Sequence, residues 1–143
     1  MNDALGGRLQ AAAWVFIAFG VVFAASAQPG LGAPLAAMSD IIIMPLDGQP
    51  GAPSATSERL LAAIGGGVMV GWGVMLLTLG RGASIGKATL FGGLGWFSVD
   101  SLGSVLAGAP MNVLGNIAFL ALIVWAAQPG LKASGMTGAP AGR

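Results

Sequence analysis

The chain predicts an all-α, polytopic membrane fold, and three observations carry that prediction. Four long apolar runs divide the 143 residues, only 8% of the residues are charged, and 25 are glycine. A soluble domain normally carries about a quarter charged residues, so these few cannot cover a water-soluble globule. In hydrocarbon every backbone N–H and C=O must be paired within its own segment, which makes each run a helix. The expected architecture is one integral-membrane domain over 1–143, an antiparallel bundle of four transmembrane helices in a lipid bilayer.

The first run, 9–27, follows Arg8 and rises far enough at about 1.5 Å per residue to cross a core of about 30 Å. A second span is predicted over 58–80; Ser54, Thr56 and Ser57 offer caps before it, and Glu58 suits its positive end. The third, 88–108, contains a single charge, Asp100. The fourth, 111–127, is polar only at Asn112 and Asn116, with Pro110 well placed at its first turn. Ala-Gln-Pro-Gly-Leu occurs at 27–31 and again at 127–131, and both copies read as helix-stopping punctuation.

One rival account of the first run is a signal peptide, because Ala25-Ser26-Ala27 before Gln28 is a small-residue cleavage pattern. The leading segment is only weakly basic, which favours a retained span. Loop charges do not separate the two cases, since a cleaved chain keeps the same orientation.

Charge placement orients the helices. Arg8, Arg81, Lys87, Lys132 and Arg143 lie in the N-terminal segment, the second connection and the C-terminal tail. The long first connection, 28–57, holds Asp40 and Asp47 and no Lys or Arg, leaving Arg59 as the lone basic residue on that side. By the positive-inside rule both termini are cytoplasmic and 28–57 is periplasmic, in a bacterial inner membrane. Prolines at 29, 34, 45, 50 and 53 exclude a long helix from that loop. Its apolar stretch 41–46 is expected to lie across the mouth of the bundle.

Several function classes drop out on composition. Net charge is +1 without a basic cluster, so nucleic acid is not an expected partner. Cysteine, histidine and tyrosine are absent, which removes disulfides, thiol chemistry and the commonest metal and haem ligands; no metal or cofactor is expected. There is no G-x-S-x-G, no P-loop and no pair of carboxylates within a span, and Ser101 and Ser104 beside Asp100 lack a base. The chain is therefore expected not to be an enzyme.

Asp100 is the natural functional suspect, because an acid at membrane depth costs about 2.5–3.5 kcal/mol on insertion scales. Counting from a turn centred near Ala109 places Asn116 within about 3 Å of Asp100 along the helix axis. Asn112 shares the Asn116 face, and Ser104 follows Asp100 by one turn. The predicted polar cluster is thus Asp100, Ser104, Asn112 and Asn116, with Arg59 as a candidate counter-ion about 10 Å away and leaning outward. Trp96, one turn before the acid, offers its indole N–H as a further partner. Two accounts compete for these atoms: interhelical hydrogen-bond glue, or a site for a small polar solute, a proton or a lipid headgroup.

The glycines predict packing faces. Gly67-x-x-x-Gly71 on the second span, with Gly103 and the Ser104/Gly108 pair on the third, lets helices approach closely where lipid removes the hydrophobic drive. These faces are expected first to pack this bundle from within; the rival reading, since two glycine-rich helices offer more small surface than one contact needs, is that one face docks another subunit or a second copy. Trp14 and Trp125 fall near the cytoplasmic ends, in an interfacial belt, while Trp72 and Trp96 fall near mid-membrane.

Arg59-Leu60-Leu61 leading into the glycine-rich span, Trp96-Phe97-Ser98-Val99-Asp100-Ser101 with Gly103-Ser104, and Ala107-Gly108-Ala109-Pro110 before Asn112 together resemble a group of small bacterial four-span proteins. Their outline is similar to DoxX-like membrane proteins. The resemblance covers spans two to four, and it implies a compact four-helix bundle serving as an accessory subunit. The expected function is accordingly a non-enzymatic accessory or interaction subunit. The alternative is a small-solute or proton pathway component built on the Asp100 cluster.

Overall fold

Apolar runs with few β-branched interruptions and no aqueous partners for their backbone should fold as helices, and they do. The structure, a computed structural model, describes residues 3–28, 30–31 and 55–136. Four helices fill them: α1 (Asp3–Ala25), α2 (Thr56–Gly80), α3 (Ile85–Leu106) and α4 (Asn112–Met136). Stretches in α1, α2 and α4 are long and apolar enough to cross a membrane. The 22 residues of α3 reach about 33 Å, so its shortfall is in apolarity and not in length. Lys87, Asp100 and a high share of glycine and serine cause it. The apolar stretch 41–46 expected over the bundle mouth lies outside the described residues.

Helix neighbours follow chain order. α1 packs on α2, α2 on α3 and α3 on α4, while α1 only brushes α3 and α4 meets neither α1 nor α2. The described helices therefore form an open antiparallel row, where the sequence predicts a bundle. The physical reason is where the small residues fall. α2 carries them on two adjacent faces, one for α1 and one for α3, and α4 has only α3 to lie against.

The α1–α2 seam repeats every seven residues. Gly6, Ala13, Gly20 and Ala27 are buried along α1 and its exit, and Gly66, Gly73 and Gly80 along α2. A Cβ on Gly66 would stand 2.5 Å from the Gly20 carbonyl oxygen, and one on Gly73 2.8 Å from that of Ala13. A seven-residue period keeps such a seam aligned when two helices wrap with a left-handed twist. The seam was missed in the sequence because its period mixes glycine with alanine.

Both short turns close in the same way. After α2, Gly82 takes φ +81° and its N–H bonds the Leu79 carbonyl, while the Ala83 N–H bonds that of Thr78. After α3, Gly108 takes φ +85°, with the Gly108 and Ala109 N–H groups on the Val105 and Ser104 carbonyls. These are Schellman closures, for which a left-handed residue without a side chain is best suited. Gly108, expected in a helix-packing pair, is therefore a turn residue: a Cβ there would meet nothing within 4 Å.

The repeated Ala-Gln-Pro-Gly-Leu acts as a stop only once. α1 ends at Ala25, before the first copy, where Ser26 donates its hydroxyl to the Phe23 carbonyl at 2.6 Å. That local bond competes with helix continuation. The equivalent position before the second copy is Ala126, which has no hydroxyl, and α4 runs on through Pro129 to Met136. The expected end at residue 127 is corrected accordingly.

Candidate functional site around Asp100

Asp100 sits on the face of α3 that meets α2, one turn from Gly103 and one from Trp96. Gly67 makes this fit possible: a Cβ at 67 would lie 2.7 Å from the Asp100 Cβ and 3.0 Å from its backbone nitrogen. The acid is 1% exposed, beside Ser104 at 0%.

Its hydrogen bonds form a closed triangle. Ser104 Oγ donates to Asp100 Oδ1 at 3.0 Å, and Asn112 Nδ2 donates to the same oxygen at 3.1 Å. Asn112 Nδ2 also donates to Ser104 Oγ at 2.9 Å. Both protons of one amide and the proton of one hydroxyl thus hold three side chains from two helices. Asp100 Oδ2 takes no hydrogen bond among the described residues.

Asn116 is at the depth of Asp100 but serves a different residue. It is 4% exposed and donates Nδ2 to Ser101 Oγ at 3.2 Å. The expectation of an Asp100–Asn116 contact is corrected on this point. Asp100 points toward α2 and Ser101 toward α4, so a residue of α4 at that level meets the serine. The acid is reached from α4 only around Ser104, one turn nearer the α3–α4 turn, where Asn112 stands.

Arg59 does not neutralise the acid. Its Nη2 donates to the Ala107 carbonyl at 3.3 Å and to Thr56 Oγ1 at 3.4 Å. The guanidinium thereby meets one of the carbonyls left open at the C-terminus of α3, where a cation also suits the helix dipole. At the opposite end of the molecule Gln10 Nε2 performs the matching task on the Gly80 carbonyl at 3.2 Å. Trp96 does not bond Asp100 either; its ring meets Phe119 edge-on, with centroids 6.4 Å apart.

The other predicted packing glycines are where the sequence places them, facing inward. A Cβ on Gly71 would stand 2.7 Å from Trp96 Cβ and 2.8 Å from the Gly92 oxygen, and one on Gly103 would stand 2.7 Å from Ala63 Cβ. Gly67, Gly71 and Gly103 are thus occupied by this chain's own helices.

Chemically, the triangle brings together one carboxyl group, one hydroxyl that donates to it and one amide that donates to both. Two further polar side chains at helix depth satisfy themselves locally: Thr78 on the Val74 carbonyl at 2.6 Å and Ser98 on that of Leu94 at 2.8 Å. Below the acid, the gap between α2 and α4 opens an apolar groove of about 450 Å³ over the glycine floor of α3. Val68, Met75, Gly92, Trp96, Phe119 and Leu122 line it. Two residues escaped the sequence analysis as parts of this region: Ser101 as the partner of Asn116, and the Ala107 carbonyl as that of Arg59. The signal for the first was present, because Ser101 and Asn116 lie within one residue of the same distance from the turn.

No family model matches the chain, and no curated protein or solved structure matches it either.

Proposed function

We propose that this chain is a four-span membrane protein with both termini in the cytoplasm, acting as a non-enzymatic accessory subunit. The observation that carries the docking part is α4, which has one neighbour in the chain and turns its far side outward. Met111, Leu114 and Trp125 on that side are 73%, 59% and 68% exposed, and Gly115 and Ala118 beside them are exposed too. Exposed apolar side chains are ordinary against lipid. A flank that combines them with open small residues also suits close approach by a partner helix. The partner surface moves, in this reading, from the glycine faces of α2 and α3 to the outer flank of α4.

Membrane crossing by all four helices rests on α3 lying between α2 and α4, both apolar enough to span. Arg8, Arg81 and Lys87 are exposed at the end of the row that carries the α2–α3 turn. That clustering supports a cytoplasmic position for this end. Purification in mild detergent tests the function: a larger membrane protein should co-purify with the wild-type chain, and Gly115→Trp or Ala118→Trp should release it while the chain stays folded. Loss of nothing on either substitution defeats the α4 interface.

A second reading makes the Asp100 cluster a small-solute or proton site, and Oδ2 without a bond is what favours it. Purified protein in liposomes should then move a proton or solute alone, and Asp100→Asn should abolish the movement.

A further inference from the structure

Asp100 lies on the face of α3 that meets α2, yet the hydrogen bonds to its carboxyl come from α3 and α4. Ser104, one turn on in the same helix, and Asn112, at the start of α4, both donate to Oδ1. One turn deeper, Asn116 ties the same two helices by donating to Ser101. α2 covers the acid with Gly67, which has no side chain to offer it. The polar needs of α3 are thus met from its own helix and from the one that follows it, across the short turn 107–111.

That placement bears on how α3 gets across. By length and composition α1, α2 and α4 suit a crossing and α3 does not. Asp100 stands six residues before the end of α3, about 9 Å into the span, where an acid opposes insertion. A bond made inside the segment that enters is present at the moment of entry, whereas cover from α2 comes only when helices dock. We infer that α3 and α4 enter the membrane as one hairpin, with Ser104 and Asn112 holding Asp100 on the way in, and that α3 does not cross by itself. The hairpin then seats on α2 through Gly67 and Gly71. The inference rests on the membrane reading above and is independent of the partner at α4.

Cysteine labelling of the full chain tests it, because the sequence has no cysteine of its own. Ala109→Cys, in the α3–α4 turn, should react with a membrane-impermeant maleimide added outside spheroplasts. Ala83→Cys, in the α2–α3 turn, should react only after lysis. Within the Ala109→Cys chain, Asn112→Leu removes the two bonds from α4 while making that helix more apolar. The fraction shielded at residue 109 until lysis should rise about fivefold, the change that two such interhelical bonds carry. Asp100→Leu added to Asn112→Leu should restore the original fraction, because no acid is left to hold. Gly67→Val, which drives a side chain against Asp100, should weaken the seating on α2 and leave labelling at 109 unchanged.

Unchanged labelling with Asn112→Leu overturns the inference, since the triangle then acts only after α3 is across. A rise of the same size with Gly67→Val also overturns it, because α2 is then what carries the acid in. So does a shielded fraction that Asp100→Leu fails to restore. Alkaline washing of the membranes separates this inference from the reading beneath it. An unsubstituted chain that washes off defeats the membrane reading itself, while a chain that stays embedded with labelling unchanged defeats only the hairpin.

Discussion

Asp100 exemplifies how one oxygen can serve as the junction of three side chains. Because Ser104 and Asn112 both donate to Oδ1, an amide oxygen at position 100 can accept the same two bonds. Asp100→Asn is therefore expected to keep its stability within about 0.6 kcal/mol, the average for one interhelical bond in a membrane. Asn112→Leu removes two bonds and should cost about 1 kcal/mol, whereas Asn116→Leu removes one. Denaturant titration in detergent micelles ranks the three; a larger loss for Asn116→Leu than for Asn112→Leu would reverse the assignment of Asp100's partner. The polar identities of this cluster were legible in the sequence, and so was the Ser104 bond, which is fixed by helix spacing. The choice between Asn112 and Asn116 was not, because it depends on which face of α3 turns toward which neighbour.

Helix seams depend on the absence of side chains. Gly73 packs where a Cβ would stand 2.6 Å from Ile17 Cγ1 and 2.8 Å from the Ala13 oxygen, and backbone cannot step aside as a flexible side chain does. Gly73→Val should destabilise the α1–α2 pair by about 1–3 kcal/mol, the range for overpacking a close contact. Gly115→Ala, on the open flank of α4 with nothing within 4 Å, should be neutral or stabilising by up to about 1 kcal/mol through helix propensity. Thermal unfolding followed by helical circular dichroism distinguishes them, and equal effects would remove the distinction between seam and flank. Sequence spacing showed that glycines were packing residues. It did not show that α2 uses Gly66, Gly73 and Gly80 for one neighbour and Gly67 and Gly71 for another. The helix-terminal contacts from Gln10 and Arg59 were equally hidden, since each joins residues far apart in the chain.

At the scale of the whole molecule, the open row makes α1 a working wall. Ser26 and Ala27 are 1% and 0% exposed, and α1 covers the glycine seam of α2 along its length. Cleavage after Ala27 would uncover that seam, so mass spectrometry of the purified protein should find residues 1–27 retained. Reporter fusions should place the C-terminal tail in the cytoplasm and an insertion in 28–57 outside it; the reverse pattern would overturn the orientation argued from the basic residues. The all-helical expectation holds at this scale, while a closed four-helix bundle is not confirmed, for a reason no window of sequence contains. Apolar periodicity gives each helix a length and a solvent, but lipid matches every apolar face equally, so it does not say how a fourth helix closes on a first.

Composition and run length alone determined that this chain is helical and suited to a membrane, because unpaired backbone has no other refuge in hydrocarbon. They also marked Asp100 and its polar neighbours, since an acid in an apolar run stands out without any coordinates. Only the tertiary structure decided that the acid's two donors meet on one oxygen, that the glycine faces are filled from within, and that α4 stands apart from α2 over a groove. Those outcomes are set by which helix faces come to lie against each other, a relation among distant residues that local pattern does not encode.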